Sequence, residues 1–355
     1  MHVVILGLDR RAAARPARRL FSYPDPKGDP VETTHAAISP YLFDASNLAN
    51  PHLVVSEVPR PINGMPRIVI GSKPIDGGHY IFDRQEMAAF LATEPGAAPF
   101  FRPYIGSREF LNGGERFILY LGEAAPEALR PLRRVREVIE RVRRYRLGEI
   151  PAKGKDADSI KEPGISSRDL ANTPRAFHVT VVPDAPFLVF PRVSSERRDY
   201  AAIGWLEPPA IPSDATLIAL GATLPQFALL TSAVHMAWLR HIGGRLKSDY
   251  RYSAGLVYNT FPLPPPDLCP HPPRGEGIGD ARAAHPRATF GEVYDPDLMP
   301  PDLRAAHQRL DRAVDRLYRP APFGSDRERV EHLFALYESQ TAPLLPPAPR
   351  PRRRR

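Results

Sequence analysis

Apolar and polar positions along this chain mark out most of its elements. "HVVILGLD" (residues 2–9) is a short apolar run of buried-strand type. "HLVVSEV" (52–58), "PRIVIGS" (66–72) and "HYIFD" (79–83) carry the β-branched and aromatic residues of strands, with a turn at "DGG" (76–78). "DRQEMAAFLATEP" (83–95) predicts a helix with Asp83 at its N-cap and Pro95 beyond its end. "ERFILYLG" (115–122) is a strand. The clearest helix is "APEALRPLRRVREVIERVRRYRLG" (125–148): Val135, Val138, Ile139, Val142 and Tyr145 recur at helical spacing, and Gly148 stops it. Arginines surround that stripe, and Glu137–Arg141 and Glu140–Arg144 have the favourable i,i+4 order.

A polar connection (151–169) precedes strand patterns at "FHVTVV" (177–182), "FLVFPRV" (187–193) and "ATLIALG" (215–221). "PQFALLTSAVHMAWLRHIGG" (225–244) reads as one mostly apolar helix. "GRLKSDYRYSAGLVYNTFPLP" (244–264) follows, with a strand run expected from Leu256. Proline-rich coil is expected to about Pro301. Stripes at Leu310, Val314, Leu317 and at Val330, Phe334, Tyr337 then predict a helical hairpin. The fold class is α+β. Its expected parts are residues 1–20, one strand of a preceding domain; 21–265, a mixed α/β domain; 266–300, a proline-rich connection; 301–340, the hairpin; and 341–355, a disordered basic tail. A chain that opens inside a strand reads as a piece of something longer.

Composition narrows the function. The net charge is +8, dominated by arginine, which favours nucleic acid, an acidic membrane surface or an acidic protein as partner. Arginine's planar fork suits phosphates and guanine edges. A single cysteine, Cys269, rules out an internal disulfide and a cysteine-rich zinc site and fits a cytoplasmic setting. No apolar run reaches the roughly 18 residues of a membrane span. No glycine-rich phosphate loop, no GxSxG elbow and no Asn-Pro-Pro-aromatic tetrapeptide appears. "DPK" at Asp25 is a faint nuclease-like tripeptide. His235 and His241, six residues apart, do not share a helix side as paired metal ligands would. No resident cofactor or metal is therefore expected in this chain.

One stretch carries more specific chemistry. In an extended segment Lys247, Asp249 and Arg251 point to one side, and Ser248, Tyr250 and Tyr252 to the other. Lysine and arginine donate to guanine O6 and N7, and aspartate accepts from cytosine N4. The same alternation also describes an ordinary ion-paired strand face, and spacing alone leaves both readings open.

The blocks "GSKPIDGGHYIF", "FRPYIGSREFLNGGERFILYL", "LANTP", "VFPRVSSERRDY", "TSAVHMAWLRHIGGRLKSDYRYSAGLVYNTFPLP" and "YDPDLMPPDLRAAHQRLDRAVDRLYR" are similar, in order, to the late part of the MmeI-like DNA methyltransferases, including the YeeA-type adenine methylases. The resemblance implies a target recognition domain and a small helical C-terminal domain. In the complete enzyme these would follow a methylase domain that uses S-adenosylmethionine on adenine N6; this chain matches only that domain's last strand. It implies base-reading roles for Lys247, Asp249 and Arg251, and places Arg192, Asp214 and Ala215 in other blocks facing the major groove. Arg102, Arg116, Arg240 and Arg245 are expected at phosphates. The expected partner is double-stranded DNA, with or without a separate methyltransferase subunit. The rivals are a specificity subunit acting in trans, a non-functional gene fragment and a basic scaffold for acidic proteins.

Overall fold

The computed structural model describes residues 18–23, 28–264 and 275–342. The run at residues 2–9, Asp25, Cys269 and the tail from residue 343 lie outside them. The architecture is α+β. A small antiparallel pair joins β1 (Arg18–Ser22) and β2 (Val31–His35). The first larger sheet contains β4 (Ile81–Asp83), β5 (Phe101–Ile105), β6 (Arg116–Leu119) and β10 (Ile211–Pro212), in the order β10-β5-β6-β4. The second contains β3 (Ile68–Ile70), β7 (Phe187–Pro191), β9 (Gly204–Leu206) and β11 (Thr216–Leu220), all antiparallel, in the order β3-β11-β7-β9. The third joins β8 (Val193–Ser194), β12 (Gly244–Leu246) and β13 (Asp249–Arg251), with β13 central.

Strand β7 reads as an unbroken apolar run because it is buried on both faces. Leu188 and Phe190 enter the main core, while Phe187 and Val189 pack the opposite face with Ile218. Around the first sheet pack α1 (Arg84–Thr93), α3 (Pro126–Leu129) and α4 (Arg133–Arg146), while α2 (Ser107–Asn112) lies between β5 and β7 and α5 (Ile165–Leu170) against α4. The Asp83 carboxylate accepts from the Glu86 amide and Glu86 from the Asp83 amide, so the N-cap and third-residue amides of α1 are satisfied reciprocally. Val135, Val138 and Val142 of α4 are buried as their spacing requires. The charges around them pair differently from expectation: Arg133 with Glu137, Arg143 with Glu140 and Arg144 with Glu149. Arg146 is wholly buried, and its guanidinium donates to the carbonyls of Pro74, Ile75, Leu170, Thr173 and Ala176. It pins the 74–75 and 170–176 loops to the end of α4.

Several expectations are corrected. Residues 52–58 keep a strand's alternation, with Leu53 and Val55 buried and Val54 exposed, but among the described residues they pair with no strand. Among the described residues, residues 177–182 make a single bridge, between Val179 and Lys73. The apolar helix is two helices, α6 (Leu224–Leu230) and α7 (Ala233–Ile242). Thr231 bonds back to Phe227 O at 2.8 Å, and the Ser232 hydroxyl caps α7 by accepting from the His235 amide. The run from Leu256 forms a wide helical turn over Ala254–Tyr258, in which the Tyr258 amide donates to Ser253 O and the Asn259 amide to Ala254 O. A short apolar run is equally consistent with strand or helix, and burial of Val257, Tyr258 and Phe261 decided between them here.

The region expected as proline-rich coil contains α8 (Glu276–Ala283) and α9 (Phe290–Val293). Then come α10 (Pro301–Tyr318) and α11 (Asp326–Thr341). These last two do not form a self-contained hairpin. α11 lies along α7, where Phe334 and Tyr337 pack against Trp238, and Leu303, Leu310 and Val314 of α10 join the same core. Helix α7 is thus enclosed by the chain's C-terminal third.

Candidate nucleic-acid interface

Residues 244–251 form a tight β-hairpin rather than one strand. Leu246 pairs with Asp249, so Lys247 and Ser248 are its two-residue turn. Lys247 takes φ +59°, a left-handed conformation that costs a side-chain-bearing residue about 1–2 kcal/mol. Two-residue hairpin turns favour Asn or Gly at such positions. The expected alternation therefore holds for Asp249 and Arg251, which share one face of β13. Lys247 is at the exposed tip instead.

Paired residues of an antiparallel ribbon project to the same side. One face carries Gly244, Leu246, Asp249 and Arg251; the other carries Arg245 and Tyr250. Tyr250 is buried, and the Arg245 guanidinium stacks over its ring at 4.0 Å while donating to Ser248 O. Tyr252, just past β13, is buried with its hydroxyl 2.9 Å from His235 Nε2 on α7. The tyrosines root the hairpin in the core and leave the other face open.

The remaining expected base readers sit beside it. The Arg192 carbonyl accepts from the Tyr252 amide at 3.0 Å, and the Arg192 amide donates to Ala215 O at 3.4 Å. Its guanidinium also reaches Asp214 O at 3.1 Å. Asp214 and Ala215 lie in a turn held by Asp214 N to Ser72 O and by the Ser107 hydroxyl on Ala215 O. Gly71 lets this turn approach: a Cβ there would lie 2.3 Å from Ser213 O. Segments distant in sequence thus bring Ala215, Arg192 and Arg251 side by side. Arg192 and Arg251 line a groove of 390 Å³ together with Glu57, Gly244 and residues 252–256. Glu57 was not among the expected residues; it arrives from a segment about 190 positions earlier, and no local pattern marks it.

The four expected phosphate arginines divide. Arg245 is exposed on the hairpin, and Arg102 is half-buried on β5. Arg116 pairs with Glu109 at 2.8 Å and stacks over Tyr104 at 4.9 Å. Arg240 pairs with Asp326 of α11 and also donates to the carbonyls of Arg198 and Asp199. Arg116 and Arg240 are thus each engaged by a carboxylate within the protein, although the buried Arg116 Nε meets no partner among the described residues. His235 and His241 also serve the fold. Burial drives the His235 pKa down to about 3, and His241 Nδ1 bonds Ala237 O.

Known proteins resemble this chain along most of its length. Residues 49–265 match the MmeI target recognition domain and residues 275–345 the MmeI C-terminal domain. DNA methyltransferase A of Bacillus subtilis (strain 168) is 36% identical over 306 residues, covering 86% of this chain and 33% of that protein. The solved structure of the Type IIL restriction-modification enzyme MmeI in complex with DNA superposes with a TM-score of 0.80 at 32% identity. It covers 92% of this chain and 42% of that one. The chain spans well under half the length of either relative. The C-terminal match begins at residue 275, so α8 and α9 belong with α10 and α11 rather than to a connection. This chain belongs to the MmeI family and carries its target recognition and C-terminal domains.

Proposed function

We propose that this chain reads a specific sequence in double-stranded DNA, as the specificity part of an S-adenosylmethionine-dependent, adenine-specific DNA methyltransferase of a restriction-modification system. One observation carries the reading. A two-stranded ribbon rooted by Tyr250 and Tyr252 presents Lys247, Asp249 and Arg251 outward, next to Arg192. The B-DNA major groove, about 12 Å wide, admits such a ribbon. Lys247 at the tip and Arg251 on the face supply guanine donors, Asp249 a cytosine acceptor, and Arg192, Asp214 and Ala215 flank them. Arg245, on the other side of the ribbon, faces away from the bases and suits a phosphate. Arg102 is a second phosphate candidate. Arg116 and Arg240 would have to leave their carboxylate partners to join it.

Methyl transfer from S-adenosylmethionine is the chemistry of the complete enzyme in this reading. Two strand-to-helix turns that could meet such a cofactor are already satisfied within the chain. The strand-to-helix turns at Asp83 and Gly106 have their amides taken by Glu86 and Glu109 of the same chain. No step of methyl transfer is therefore assigned to this chain.

The test is duplex binding by fluorescence anisotropy across a salt series. Log affinity should fall linearly with log salt, with a slope of about 0.9 per phosphate contact. Folded protein that shows no duplex binding at low salt would overturn the reading.

A further inference from the structure

The reading face of the hairpin holds one apolar side chain, that of Leu246. Leu246 pairs directly with Asp249 and therefore stands on the same face as Asp249 and Arg251. It is 54% exposed, and all three residues of β12 are open to solvent. A single exposed leucine is ordinary on a protein surface. Its register distinguishes this one: its side chain is the nearest cross-strand neighbour of Asp249, about 5 Å away at Cβ. It is also adjacent in sequence to Lys247 at the tip. Among the described residues nothing buries it there, while the partner residues of β13 are anchored by Tyr250 and Tyr252.

We propose that Leu246 is a specificity-determining residue that recognises the 5-methyl group of a thymine next to the base pair read by Asp249. This rests on the reading above, that the hairpin enters the major groove. On the major-groove edges of the four base pairs, the thymine methyl is the one apolar group. A leucine held among charged readers would otherwise face polar base edges, which it cannot satisfy. Against a methyl it buries apolar surface on both sides, and burying one methyl group changes affinity about fourfold. The hairpin would thus read one base pair by charge and hydrogen bonding and its neighbour by shape.

The experiment begins by selecting, from a randomised duplex pool, the sequences bound by the unmodified full chain. Each thymine of the selected consensus is then replaced by deoxyuridine, which removes only the methyl group. Binding is measured for the unmodified chain and for Leu246→Ala. The expected result is one position where uracil weakens the unmodified chain about fourfold and leaves Leu246→Ala unaffected. Leu246→Ala should melt at the same temperature as its parent, because the side chain is exposed. A consensus with no methyl-sensitive position, or methyl sensitivity retained by Leu246→Ala, overturns the inference while leaving sequence recognition intact. A pool that yields no consensus overturns both.

Discussion

Lys247 is the residue at which conformation and chemistry conflict. A glycine in that turn would adopt φ +59° without penalty, yet the chain places a long cation there. Lys247→Gly should therefore leave the unfolding free energy within about 1 kcal/mol of the parent or raise it. The same change should remove about 1–3 kcal/mol of base discrimination. Parallel denaturant melts and DNA titrations separate the two effects. Equal loss of stability and binding would mean that the lysine serves only the turn.

At the same scale, buried histidines set a pH dependence. Burial holds His235 neutral with its pKa down to about 3; burial, with Arg282 nearby, does the same for His307. The unfolded chain binds protons at these histidines below about pH 6.5 and the folded chain does not. Their stabilising contribution is present above pH 6.5 and is lost as pH falls, by about 1.4 kcal/mol per histidine per pH unit. Asp311 opposes this. Burial raises its pKa to about 6, against hydrogen bonds from Ala233 and Tyr200, so the folded state takes up its proton as pH drops through 6. Two histidines outweigh one carboxylate, and net stability should decline below pH 6. His235→Gln should flatten that decline by about one proton's worth between pH 6.5 and 5, measured by urea melts at several pH values. An unchanged slope would show that His235 titrates alike in both states.

At the scale of elements, the boundary between α6 and α7 aims the hairpin. Helix α7 contributes His235 to Tyr252, and at its C-terminal end Gly243 leads directly into β12. The Ser232 hydroxyl caps it, so Ser232→Ala should cost about 1 kcal/mol, read as a shift in the denaturant midpoint without a change in m-value. Local pattern revealed some elements and hid others. Helices α1 and α4 were legible because capping and a 3.6-residue stripe are properties of neighbouring residues. The 231–232 break was not, because a mostly apolar run shows no continuous polar face from which to read a period. Nor was the hairpin: Lys-Ser is not a favoured two-residue turn sequence, so periodicity alone suggested one straight strand.

Across the whole molecule, the recognition and C-terminal domains share one core. Trp238 of the recognition domain and Phe43, which precedes its matched residues, touch Phe334 of α11, and Arg240 pairs with Asp326. Tyr200 stacks on His307 at 3.9 Å and its hydroxyl donates to Asp311, which also accepts from the first amide of α7. Phe334→Ala should therefore destabilise both matched domains together, by about 3–5 kcal/mol, in a single cooperative transition. Two separate transitions, with only the C-terminal one shifted, would show that the domains fold independently.

The sequence by itself determined the α+β class, the amphipathic helices, the basic balance and, through long ordered blocks, the family. These follow from composition and from spacing over a few residues, which act locally whatever the rest of the chain does. Only the tertiary structure decided which charged residues are available to a ligand. Arg116, Arg146 and Arg240 resemble Arg251 in sequence, but internal carboxylates, carbonyls and ring faces engage the first three. It also decided that Lys247 occupies a turn, that Leu246 shares a face with Asp249, and that Ala215, Arg192 and Arg251 lie side by side. Register and burial depend on partners dozens to hundreds of residues away, and no local pattern encodes those distances.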